Sequence, residues 1–173
     1  MATLQGRMIR AAKLDVHLYE EVEADPEAMG QAVTVVVLSA VAAGIGSLGS
    51  GGLVGILGGT IAALIGWLVW AGLTYFIGTR LLPEPQTKAD YGELLRTIGF
   101  ASAPGLIRVF GLIPGLGPLL FLVAGIWMLV AMVVAVRQAL DYTSTARALG
   151  VCLIGWLVQA AILMLAAPLF GLR

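Results

Sequence analysis

Residues 28–79 read AMGQAVTVVVLSAVAAGIGSLGSGGLVGILGGTIAALIGWLVWAGLTYFIGT, 52 positions without a single charged side chain. A helix needs about 20 apolar residues to cross the hydrocarbon of a bilayer, so this stretch is long enough for two crossings. Gly44, Gly46, Gly49, Gly51 and Gly52 crowd its middle. That punctuation predicts one span over about 30–48, a tight turn near 49–52 and a second span over about 53–79. Working outward, residues 109–136 and 148–172 are also free of charge. They predict spans over about 118–138 and 147–169. Between the two pairs lies a weaker candidate over about 96–113, which carries Gly99, Pro104, Gly105 and Arg108. The uncharged spans and this short one together predict an all-α membrane protein with five transmembrane helices. Residues 1–29 form an amphipathic, acidic cytoplasmic segment ahead of a five-span domain over 30–170.

Composition supports the same class. Of the 173 residues, 60% are hydrophobic and 12% charged, against roughly 45–50% and 25% in soluble domains. A small water-soluble fold could not cover such a core with polar residues. Ten basic and ten acidic residues cancel, so no net field steers the chain toward nucleic acid. Cys152 is the only cysteine, which excludes an intrachain disulfide and reads as a small packing residue. His17 is the only histidine and lies in the polar N-terminal segment. Histidine-ligated haem or zinc inside the membrane is therefore not expected, and no cofactor or metal is predicted.

The charges are grouped, and their grouping sets an orientation. With five spans, Arg7, Arg10, Lys13, Arg80, Lys88, Arg96, Arg137 and Arg147 share one side, and Arg173 stands alone on the other. The positive-inside rule then predicts a multi-pass cell-membrane protein with a cytoplasmic N-terminus and an external C-terminus. A cleaved secretory signal is not expected, because Glu20, Glu21, Glu23, Asp25 and Glu27 precede the first apolar run.

Local signals fill in the polar segments. Met8, Ile9, Ala12, Leu14, Val16 and Tyr19 give the N-terminal segment an apolar face, suited either to the membrane surface or to packing on the loops. Asp25-Pro26-Glu27 reads as a helix start, and Asp90 with Glu93 as the cap of the helix that opens the third span. Tyr19, Tyr75, Tyr91 and Tyr142 fall at the predicted cytoplasmic interface. Trp67, Trp127 and Trp156 lie deep in their spans, where the expectation is wedging between helices.

Three groups of residues are candidate sites. Gly51, Gly55 and Gly59, followed by Ala63, repeat every four residues and place small side chains on one helix face, for packing within the chain or for an oligomer contact. The acidic cluster Glu20, Glu21, Glu23, Asp25 and Glu27 has the hard oxygen ligands of a divalent-cation site but no calcium-loop spacing. Its plainer role is a solvated face paired with Arg80, Arg96, Arg137 or Arg147. Intramembrane polar residues form the third group: Arg108 and Gln159 first, with Ser102 and the helix-breaking Pro104, and Ser39, Thr34, Thr60 and Thr74 behind them. Arg108 is the only charge away from the ends of a predicted span. It can snorkel outward to lipid phosphate, or turn inward with Ala101, Pro104 and Gly105, which share its helix face. No nucleophile–base pair or phosphate-cradling loop occurs, so no catalytic residue is predicted and the chain is not expected to be an enzyme.

Several stretches resemble a known family. Leu14-Asp15, Tyr19 to Pro26 and Gly30-Gln31-Ala32 are similar to the N-terminal signature of bacterial Yip1-domain proteins. Tyr91 to Gly105 followed by Ile113-Pro114-Gly115-Leu116-Gly117 resembles their central segment, and Ile126-Trp127 with Ala135 to Leu140 a later one. The resemblance covers about residues 13–160 and implies a five-span membrane protein. Eukaryotic members associate with prenylated Rab GTPases through vesicle membranes and usually carry a DLYGP-like motif before the first spans. This chain lacks that motif, so the resemblance does not carry Rab binding over. What it implies is a non-enzymatic protein acting through membrane partners or lipids. The expected partners are the lipid bilayer and either a homo-oligomer or other membrane proteins, with no nucleic acid. The alternative is an oligomeric channel or small-solute transporter lined by the Gly-rich first two helices and the Pro-broken third.

Overall fold

The structure, a computed structural model, describes residues 3–47 and 52–166, apart from the side chains of residues 163, 165 and 166. It is all-helical. Among the described residues, Pro26–Gly46, Gly52–Leu81, Gly117–Ala139 and Thr145–Ile162 are long and apolar enough to cross a membrane. The elements in chain order are α1 (Leu4–Ala12), α2 (Val16–Ala24), α3 (Met29–Gly46), α4 (Gly52–Phe76), α5 (Tyr91–Phe100), α6 (Gly117–Ala139) and α7 (Thr145–Ala166). The turn expected near 49–52 lies almost wholly outside the described residues, as do Gly51 and Arg173.

The N-terminal segment is a hairpin rather than one surface helix. α1 ends in a Schellman turn: the Asp15 N–H donates to the Arg10 carbonyl and the Leu14 N–H to that of Ala11. Leu14 takes the left-handed backbone conformation this turn requires, with φ of 60°. The side chain of Asp15 then caps α2 by accepting from the His17 N–H. The apolar face of the hairpin is spent on packing, since Ala11, Leu18, Tyr19 and Val22 are fully buried, while Ile9 and Val16 stay exposed. Tyr19 and Tyr142 are core residues and not lipid-facing anchors. Asp25 opens a short 3₁₀ turn over Pro26–Ala28 that runs into α3. Asp90 and Glu93 form a reciprocal capping box at the start of α5.

The segment expected to be the third span is broken in two. α5 stops at Phe100, and a 3₁₀ segment, Ala103–Leu112, continues from it with Pro104 in its first turn. α5 starts five residues before the expected span, and the break falls just ahead of Pro104, whose ring cannot supply an N–H to an α-helical ladder. The two halves nevertheless keep company with α3 along its length. A Cβ on Gly99 would stand 2.8 Å from that of Ala32, one on Gly105 would strike the Ser39 hydroxyl, and one on Gly46 would strike the Arg108 carbonyl. Ala32, Ser39 and Gly46 are seven residues apart and share one face of α3. Residues 99–111 therefore advance parallel to α3. They run antiparallel to α6, where Met128 faces Gly105 and Phe121 faces Gly111.

The outer ring is unevenly packed. α6 and α7 pair, and Trp70 of α4 lies against Gly155 of α7. Trp67 is buried and its indole donates to the Leu95 carbonyl at 3.1 Å. Trp156, expected between helices, instead stands on the outer face and is 62% exposed. The first half of α4 meets α3 through Ile56, which lies against Gly44, and leaves its outer face open: Leu53, Val54, Leu57 and Ile61 are all exposed.

The glycines divide accordingly. Gly46→Ala places a methyl group into the Arg108 backbone and should lower unfolding free energy by about 1–3 kcal/mol. Gly55→Ala meets nothing within 4 Å and should be neutral or stabilising by up to about 1 kcal/mol through helix propensity. Thermal unfolding of the two variants in one detergent measures the contrast.

Candidate functional site

Two features gather polar residues. The first lies among the apolar helices. Arg108, Gln159, Ser102 and Ser39, read from sequence as separate candidates, line one cavity of about 260 Å³ together with Trp67 and Trp70. Pro104 is buried but lies outside this lining; its part is to break the helix that carries Arg108. The arginine turns inward. Its backbone sits at the end of α3, beside Gly46, yet its Nη2 lies 3.2 Å from the Met128 sulfur, eleven residues into α6. The guanidinium carbon also sits 5.6 Å from the centre of the Phe121 ring. A thioether is a weak acceptor, and the buried Nε has no partner at all. An arginine at such a depth costs at least about 2.5–3.5 kcal/mol unless something compensates its charge.

The second feature is at the polar end of the bundle, where the hairpin and the 82–90 and 140–144 loops meet. Glu21 and Asp25 find their ion-pair partners within their own segment rather than in Arg80, Arg96, Arg137 or Arg147 as the sequence suggested, while Glu20 accepts from Gln138 of α6 at 3.1 Å. Arg7 donates to Glu21 at 2.9 Å, to Asp25 at 2.8 Å and to Gln31 at 3.0 Å. Arg10 bridges Asp15 at 2.8 Å and Glu21 at 2.5 Å. The hydrogen bond from Arg10, with that from Arg7, holds the Glu21 carboxyl below its ordinary range. Arg96 is buried and serves the cluster differently: its guanidinium donates to the Val22 and Glu23 carbonyls, the open end of α2. The indole of Trp127 donates to the Ala12 carbonyl at 2.8 Å, closing the end of α1 in the same way. Among the described residues no group of three acidic, histidine or cysteine side chains is placed to hold a metal ion.

Sequence reading missed Glu84. Its side chain is 7% exposed and accepts from the Thr143 N–H at 2.9 Å, the Thr143 hydroxyl at 2.8 Å and the Ser144 N–H at 3.4 Å. Arg147 approaches it at 3.4 Å. The Thr143 amide, with these neighbours, pulls its carboxyl down to about 2. Glu84 thereby caps the entry to α7 from the far loop. The only signal for it in the chain is an acid between Pro83 and Pro85, which says nothing of a partner 59 residues away.

Glu20, Glu23, Lys88, Arg137, Gln138 and Asp141 line an open pocket of about 820 Å³ at this end. Burial, then the charges of Asp141 and Glu93, push the Glu23 carboxyl up to about 7, against a smaller pull from Arg96.

A family model for the Yip1 domain matches residues 17–167. The chain belongs to the Yip1-domain family. No curated protein matches it, and no solved structure does. The matched region takes in α2 through α7, so the hairpin's α1 and its arginines lie outside what the Yip1 match describes, while Arg108, Gln159 and Glu84 lie within it.

Glu23 binds a proton more tightly folded than unfolded, so it favours the folded state at low pH and loses that contribution as pH rises from about 4.5 to about 7. Wild-type melting should fall across that window, and Glu23→Gln should flatten the fall and melt higher than wild type at pH 8.

Proposed function

We propose that this Yip1-domain chain is a non-enzymatic protein of a cell membrane that acts by helix contacts with other membrane proteins, the first of them a second copy of itself. The observation that carries this reading is α4. Ideal Cβ atoms on Gly55, Gly58 and Gly59 meet nothing of the chain's own within 4 Å. Small residues at this spacing exist to let another backbone approach, and among the described residues no backbone does. Two copies of such a face are self-complementary about a two-fold axis. The bacterial-type reading rests on the likeness of Leu14-Asp15, Tyr19 to Pro26 and Tyr91 to Gly105 to bacterial members.

The orientation belongs to the same proposal: N-terminus in the cytoplasm, C-terminus outside, five crossings. In support, residues 99–111 run parallel to α3, as an odd-numbered crossing must. α5 and the 3₁₀ segment have the combined rise, about 35 Å if collinear, that a crossing needs. In a Cys152→Ser background, Lys88→Cys should label with a membrane-impermeant thiol reagent only from the cytoplasmic side, and Leu116→Cys only from outside. Labelling of both from one side sinks the five-span topology.

Self-contact has its own test. In nanodiscs, subunit counting by single-molecule photobleaching should give dimers or larger for wild type. Gly55→Ile with Gly59→Ile should give monomers with unchanged melting, because the added side chains meet open space within the chain. A monomeric wild type ends the self-contact reading.

A further inference from the structure

The cavity under Arg108 does not end at its polar walls. Trp70, Met128, Met132 and Gln159 line it and also line a second, apolar cleft of about 410 Å³ between α6 and α7. Each volume is within reach of the about 300–1,000 Å³ typical of ligand pockets, and the shared walls make them neighbours. The cleft is flanked by Leu149, Leu153 and Trp156, which are 42%, 52% and 62% exposed and face the lipid side. Both spaces have glycine on their walls, Gly66 in the first and Gly125 in the second, and a Cβ on either would meet nothing within 4 Å. One end of this combined space therefore holds an arginine lacking an acidic partner, hydroxyls and an amide. The other end is hydrocarbon and opens sideways into the bilayer.

We propose that the two spaces form one binding site for an anionic amphiphile, its oxyanion on the Arg108 guanidinium and its hydrocarbon tail in the cleft between α6 and α7. A half-buried guanidinium with only a thioether and an aromatic face against it is an anion receptor. No carboxylate lines either space. A molecule already dissolved in the bilayer can bring an anion to that depth through an apolar entrance. Gln159, at the junction of the two spaces, is placed to donate to the same head group. The oxyanion can be the phosphate of a phospholipid or the carboxylate of a free fatty acid, since both present the bidentate acceptor that the guanidinium fork matches.

The test is native mass spectrometry of the full chain released from mild detergent, titrated with short-chain phosphatidic acid, a fatty acid, phosphatidylcholine of the same chains, and inorganic phosphate. At least one of the two anionic amphiphiles should bind tenfold or more tightly than phosphatidylcholine, and the tighter one names the source. Arg108→Gln should cut that binding about tenfold. Gly125→Leu fills the cleft and leaves Arg108 untouched, and it should weaken the amphiphile similarly with unchanged melting of the lipid-free protein. If Arg108→Gln does not fold, Gly125→Leu decides alone. Equal binding of anionic and zwitterionic lipid overturns the proposal, as does wild-type binding by Gly125→Leu. Displacement of the amphiphile by an equal concentration of inorganic phosphate overturns the tail's part in it.

Discussion

The close approach of α3 to residues 99–111 is the contact on which the rest of the bundle depends. Three small residues on one face of α3, Ala32, Ser39 and Gly46, meet Gly99, Gly105 and the backbone at Arg108 and Gly111. Inside a bilayer, apolar surface gains nothing by leaving one hydrocarbon for another, so helices associate through van der Waals fit and hydrogen bonds. A fit that brings backbones together is available only to side chains of this size. It has a second effect. The 3₁₀ segment lies close enough to α3 and α6 for its loosened backbone to be covered by protein, which is the condition under which irregular backbone persists at membrane depth. Arg108 rides on that segment, and its inward direction follows from the placement of the segment between α3 and α6.

The polar end is organised differently, by side-chain hydrogen bonds to helix ends, those of Arg96 and Glu84 charge-assisted. Arg96 covers the carbonyl end of α2, the Trp127 indole covers that of α1, and Glu84 covers the amide end of α7. Each group compensates backbone atoms that a helix leaves without partners. Glu21 and Asp25 are held by Arg7, and Arg10 holds Glu21 a second time. A carboxylate network of this kind is consumed in holding the hairpin to the bundle. Glu23 is the exception: burial first, then the charges of Asp141 and Glu93, push its carboxyl up to about 7.

Two surfaces remain unspent. The first half of α4 presents glycine to the outside, and the cavity at Arg108 presents charge to the inside. A helix face of small residues and a buried cation are both costly when unused, the first through lost packing and the second through lost solvation. Their coexistence turns attention to partners that live in the membrane, protein on one side and amphiphile on the other.

The sequence by itself determined which residues form the long apolar helices. Long uncharged runs have no other solvent, so four spans could be placed to within a few residues, and the Asp25 and Asp90 caps could be read directly, because a cap is a contact between residues two or three apart. The Yip1 resemblance was also legible, since it rests on short contiguous stretches. Tertiary structure alone decided everything that joins distant parts of the chain. Glu84 and Thr143, Trp127 and Ala12, and Arg96 and Val22 are separated by 59, 115 and 74 positions, and periodicity contains no term for such pairs. The same holds for Arg108: its sequence neighbours were compatible with a side chain turned to lipid or to the interior. Only the seating of a broken helix against α3 and α6 put it in a cavity with Ser39, Ser102 and Gln159, because direction in a membrane is set by what the backbone leans on.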